Sequence, residues 1–227
     1  MYKVGFVYTS TTPELIEYLE EETRKQLGEE ASILTYKDSS ILTEVREHGY
    51  VTSGAAARLI SMYMQAVLDG AEAILNVCSS VGEVADSVWE AARYIGVPIV
   101  RIDTDMCRDA IRTGKRIGVL ATLPTTLEPT KNTLRRLARE MGQPDVVLKD
   151  GLVEVFGLDQ GQFQKLLTAK ALELAPEVDV ILLCQGSMAY CQKVIADACK
   201  KPVVSSPRYG IGALKQALIQ KGVIKPL

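Results

Sequence analysis

Short runs of aliphatic and β-branched residues alternate along the chain with longer stretches whose apolar positions return every three or four residues. The short runs predict strands over 3–8, 32–36, 73–78, 98–102, 116–121, 145–148, 179–184 and 202–204. The stretches between them predict helices. In one, Leu59, Ile60, Tyr63, Met64, Val67 and Leu68 form a single apolar stripe. Strands that alternate with helices predict an α/β fold, with parallel sheets covered on both faces. The segment 37–54 fits neither period well and reads as a long loop, either a lid or a surface excursion with a short helix.

The same pattern occurs twice. Gly5-Phe-Val-Tyr-Thr9 is matched by Gly118-Val-Leu-Ala-Thr122, and each leads into a hydroxyl-rich turn and a helix. Ile74-Leu-Asn-Val-Cys78 is matched by Ile181-Leu-Leu-Cys184-Gln185, and Gly96-Val-Pro98-Ile-Val by Lys201-Pro202-Val-Val. Because the three matches run in the same order, duplication explains them better than chance. The expectation is two pseudo-symmetric α/β lobes, each a short parallel sheet flanked by helices. Residues 1–104 plus 206–227 form the first lobe and 105–205 the second, with the helix after Pro207 packing back on the first.

Composition narrows the chemistry. The 227 residues are 47% hydrophobic and 24% charged, enough to bury a core, and the net charge of −2 with no basic stretch argues against nucleic acid. No apolar run approaches a membrane span, and the start of the chain lacks the apolar stretch of a secretory signal. Five scattered cysteines then predict free thiols in a reducing cytoplasm. A single histidine, His48, leaves few options for a histidine-based triad. Zinc, dinucleotide and nucleotide-triphosphate signatures are all missing from the sequence.

Ligands of open α/β sheets sit beyond the carboxyl ends of the strands. Four turns predicted there carry hydroxyls or a thiol: Thr9 to Thr12, Cys78-Ser79-Ser80, Thr122 to Thr126, and Gln185-Gly186-Ser187. Each precedes a helix, whose free N–H groups suit a carboxylate. Capping is the competing role: Thr12 precedes Pro13, and Ser80/Glu83 and Thr125/Glu128 have capping-box spacing. Cys78 is the sharpest candidate, since a helix start lowers a thiol pKa; the alternative is a small buried hydrophobe. Cys107, Cys191 and Cys199 read as core. Arg208 reads as a solvated side chain that could instead pair with a substrate carboxylate, and His48 as incidental.

The stretches ILNVCSS, RIGVLATLPTT and VILLCQGSMA, with the duplicated layout, resemble the aspartate/glutamate/hydantoin racemase superfamily over essentially the whole chain. The resemblance implies a cofactor-independent isomerase acting on a small amino or carboxylic acid in a cleft between the lobes, with one cysteine from each lobe at the substrate's α-carbon. It makes Cys78 the first catalytic cysteine. It also assigns Ser79, Ser80, Thr122 and Thr125 to carboxylate binding, with Thr9 and Ser187 beside them. A homo-oligomer is the default assembly, with no nucleic-acid or membrane partner.

The second lobe departs from the family pattern: Gln185 stands where the second cysteine belongs, and Cys184 falls one residue early, on the opposite face of a strand. Three outcomes follow. A bulge could restore Cys184 as the second catalytic cysteine. Cys78 could act alone, in a lyase, a cis–trans isomerase or a decarboxylase of a dicarboxylate, with Gln185 bonded to substrate. Or the chain could bind a small carboxylate without turnover.

Overall fold

Eight strands and ten helices succeed one another in a computed structural model that describes residues 1–153 and 159–226. The chain divides into two units, 1–102 with 207–227, and 103–206.

In the first unit, β1 (Tyr2–Tyr8), β2 (Ala31–Lys37), β3 (Ala73–Asn76) and β4 (Ile99–Arg101) form a parallel sheet of order β2-β1-β3-β4. Side chains alternate across it as a strand requires. Val4, Phe6, Tyr8, Ala73, Leu75 and Val77 join a core cluster with Leu15 and Leu19 of α1 (Pro13–Leu27). The same cluster takes Ile211, Leu214 and Leu218 from α10 (Ser206–Gln220). Val7 and Ile74 face the other way, toward α2 (Ser39–His48), α3 (Ser53–Leu68), α4 (Gly82–Ser87) and α5 (Trp89–Ile95).

The second unit repeats the plan. Here β5 (Arg116–Ala121), β6 (Val147–Leu152), β7 (Val180–Leu183) and β8 (Val203–Ser205) form a parallel sheet of order β6-β5-β7-β8. Helices α6 (Thr104–Thr113) and α7 (Pro124–Glu140) pack on β7 and β5. Helices α8 (Gln160–Leu174) and α9 (Gln192–Cys199) cover Leu120, Ile181 and Leu183.

The repeat extends to strand register. Gly5 pairs with Ile74 as Gly118 pairs with Ile181, and Ile74 with Ile99 as Ile181 with Val203. The matched strand residues Gly5 and Gly118, Ile74 and Ile181, and Ile99 and Val203 thus occupy equivalent places in their own sheets.

Three expectations change in detail. The segment 37–54 is mostly helical, because Asp38 caps the Ser40 N–H, Ile41 and Val45 bury one turn apart, and Gly49 closes α2 in the left-handed region at φ 79°. Strand β6 begins two residues later than expected and runs through Lys149, Asp150 and Gly151; it is an edge strand, so polar residues are tolerated on it. Leu68 ends the α3 stripe 79% exposed, while Ala55 and Ala66 take the buried positions.

Asp179, just before β7, ties the bottom of that strand to β5. One carboxylate oxygen accepts the Arg116 N–H at 2.9 Å and the other accepts from its guanidinium. These bonds hold the Asp179 carboxyl well below its usual 3.8, at about 2. A lowered carboxyl pKa stabilises the fold above the unfolded value, and that stabilisation is lost as pH falls through the folded one. The melting temperature of the Asp179→Asn variant is therefore expected to fall less steeply than that of the parent between about pH 4 and pH 2. Thermal scans across that window check this.

Candidate active site

The carboxyl end of β3 carries the first group of functional residues. Cys78 stands at the N-cap position of a 3-10 turn, Ser79–Val81, with extended backbone at φ −148° and ψ 116°. Of the five cysteines it is the one that is partly exposed; Cys107, Cys184, Cys191 and Cys199 are buried. Burial pushes the Cys78 thiol up, against the Thr9 hydroxyl, the Ser80 and Val81 amides and the Ser80 hydroxyl, which all pull it down. The expectation of a lowered thiol pKa is thus reversed: desolvation outweighs the donors. The sulfur makes no full capping hydrogen bond to the turn.

A buried polar relay holds this turn from below. Tyr63 on α3 donates to Asn76 Oδ1 at 2.9 Å, and Asn76 Nδ2 donates to the Cys78 carbonyl at 2.9 Å. Both side chains are fully buried. Next to the turn, Gly82 opens α4 where the guanidinium of Arg101 packs; a Cβ there would lie 2.5 Å from Arg101 Cζ, so only glycine lets the two approach. Arg101 is 4% exposed and its Nη1 donates to Asp86 at 2.6 Å. Sequence reading missed Asn76, Tyr63 and Arg101. Asn76 was the findable one: an amide in an otherwise apolar strand must be hydrogen-bonded when buried.

Capping explains less of the hydroxyl pattern than expected. Thr12 does cap α1, accepting from the Leu15 N–H at 3.3 Å. Ser80, however, lies inside the 3-10 turn, and Thr125 lies inside the first turn of α7, which starts from Leu123 without a side-chain cap. Thr125 Oγ1 is buried with no hydrogen-bond partner among the described residues. Ser79 and Ser80 are buried, and Ser187 is partly exposed in the 3-10 turn Gly186–Cys191.

At the carboxyl ends of β5 and β7, Gln185 and Thr122 form a closed pair. The Thr122 N–H donates to Gln185 Oε1 at 2.9 Å, and Gln185 Nε2 donates to Thr122 Oγ1 at 2.6 Å. An N–H can only donate, so the amide orientation is settled. The Thr122 hydroxyl keeps its own proton for a further acceptor. Cys184 stays in the strand: its N–H donates to Leu120 O at 2.9 Å, continuing the β7 ladder without a bulge. The Cys184 side chain is fully buried, and burial pushes its thiol far up despite a hydrogen bond with Thr130 on α7. Gln185, not Cys184, is the structural counterpart of Cys78.

Arg208 is exposed on α10, where its carbonyl accepts from Gln26 at 3.1 Å, and His48 ends α2 on the surface with Nδ1 against the Glu44 carbonyl. No group of three or more metal-ligating side chains occurs among the described residues. No helix among them is long and apolar enough to cross a membrane.

Residues 4–214 match the Asp/Glu/Hydantoin racemase family. The chain therefore belongs to that family, and is an enzyme of the racemase type. The fold is similar to a glutamate racemase isoform from Bacillus anthracis (TM-score 0.70, 15% identity, 98% of this chain and 83% of that one). It is also similar to the allantoin racemase from Klebsiella pneumoniae (TM-score 0.65, 15% identity, 98% and 89%). An arylmalonate decarboxylase resembles it less closely (TM-score 0.52, 15% identity, 95% and 93%). No curated protein matches the chain in sequence.

Proposed function

We propose that this enzyme is a cofactor-independent racemase or isomerase of a small amino or carboxylic acid, with Cys78 as its working thiol. One observation carries the reading: the single partly exposed cysteine ends a buried strand where hydroxyl and amide donors lie close to its sulfur. A proton beside a carboxylate is very weakly acidic, so a protein without a cofactor must stabilise the carbanion-like state with fixed dipoles. Cys78 removes the α-proton as thiolate. The hydroxyls of Ser79 and Ser80 are assigned to carboxylate binding in the unit that carries Cys78, and those of Thr122, Thr125 and Ser187 to carboxylate binding in the other. Thr125 suits this best, since its hydroxyl is unpartnered at the start of a long helix.

A second reading is favoured by the Gln185–Thr122 pair. An amide cannot exchange a proton with carbon, and Cys184 is enclosed, so Cys78 works alone, as in a lyase, cis–trans isomerase or decarboxylase acting on a dicarboxylate. Incubation with a panel of amino, hydroxy and dicarboxylic acids in D2O distinguishes the two. The racemase reading expects deuterium at the α-carbon together with loss of optical activity. Exchange with retained configuration, or loss of carbon dioxide, supports the one-thiol reading. No exchange, isomerisation or decarboxylation of any substrate, by protein whose Cys78 is alkylatable, refutes both.

A further inference from the structure

Thr9 ends β1 as Cys78 ends β3. Val7 pairs with Asn76 in parallel register, and the Val77 N–H donates to the Val7 carbonyl, so two residues on Thr9 stands level with Cys78. The second unit shows what this register does to side chains. Leu120 pairs with Leu183, which sets Thr122 level with Gln185, and there hydroxyl and amide meet at 2.6 Å. Thr9 is fully buried, unlike a residue that greets a substrate, and its Oγ1 has no hydrogen-bond partner among the described residues. A buried hydroxyl without an acceptor is unfavourable and calls for one.

We infer that Thr9 is a positioning residue whose buried hydroxyl serves as the fixed hydrogen-bond donor to the Cys78 thiolate, rather than as a ligand for substrate. A neutral thiol is a weak acceptor and leaves the hydroxyl unsatisfied; a thiolate is a strong one. A Thr9–Cys78 hydrogen bond thus favours the thiolate, as the Ser80 and Val81 amides do, against the burial that raises the thiol. Tyr63 on α3 interacts electrostatically with Cys78, and also with Arg101 on β4 and Asp86 on α4. Tyr63 stays neutral because burial raises its phenol far above the ordinary range, and Arg101 is paired with Asp86.

The inference rests on Cys78 being the working thiol, but its test needs no substrate. The rate of Cys78 alkylation by iodoacetamide is followed against pH in the parent, Thr9→Val, Thr9→Ser and, as background, Cys78→Ala. Thr9→Val is expected to raise the apparent thiol pKa by about one unit or more, slowing alkylation about tenfold at fixed pH. Thr9→Ser is expected to restore the parental curve. The melting temperature of Thr9→Val is expected to hold or rise at neutral pH, because an unsatisfied buried hydroxyl has been removed. An unshifted titration in Thr9→Val overturns the inference, as does a serine variant that behaves like valine. If Thr9→Val does not fold, Thr9→Ala is read in the same way. A shifted thiol titration in a protein without turnover would sink the proposed function and leave this inference standing.

Discussion

Replacing Cys78 by serine is expected to lower kcat by between about 10²- and 10⁴-fold, the usual contribution of a positioned acid or base. Substrate binding should be largely kept. The two side chains are nearly the same size, so the donors contributed by Thr9, Ser80 and Val81 remain in place. What changes is the ease of forming the anion: a serine hydroxyl has no accessible alkoxide near neutral pH. In the parent, kcat/KM should climb as pH rises, because burial pushes the thiol up and only its deprotonated form removes a proton. Steady-state kinetics over pH, with isothermal titration of a substrate or product, measure both effects. A serine variant that turns over at the parental rate would exclude Cys78 from the chemistry.

The second large effect is on stability. Asn76→Leu removes an amide that satisfies two partners, the buried Tyr63 hydroxyl and the part-buried Cys78 carbonyl. A buried polar group left without a partner costs about 1–3 kcal/mol, and the part-buried carbonyl less, so a loss of about 2–4 kcal/mol is expected in urea unfolding. Adding Tyr63→Phe removes one of the two orphans. The double variant should therefore be more stable than Asn76→Leu alone, a sign that no simple loss of packing would give. If the double variant is instead less stable, the relay is not what holds the turn.

Much of this fold was legible because the inner strands are buried on both faces and carry little but aliphatic residues. Strand β5 matches its predicted range of 116–121, and β7 is shorter by one residue at each end. Legibility failed where burial was partial. Helix α2 buries only Ile41 and Val45, and edge strand β6 buries only Gly151, so neither left a clear apolar period. At the site, repeat arithmetic separated Gln185 from Cys184, because a strand reverses face at every residue. It could not say whether Thr9 opens to solvent or is enclosed, which depends on what lies over it. Nor could it find Tyr63, whose place in an apolar helical stripe concealed the hydroxyl at its tip. The two capping-box spacings misled for a related reason: the chain enters each helix earlier than the Ser80 and Thr125 motifs suggest.

The path of the chain has a consequence for its synthesis. Residues 103–206 are made as one uninterrupted piece, while the first unit waits for its final segment, 207–227. Until α10 leaves the ribosome, Val4, Phe6 and Leu75 lack the cover of Ile211, Leu214 and Leu218. The first unit is thus begun before the second and completed after it, and while residues 103–206 are translated α1 alone covers that face of its sheet.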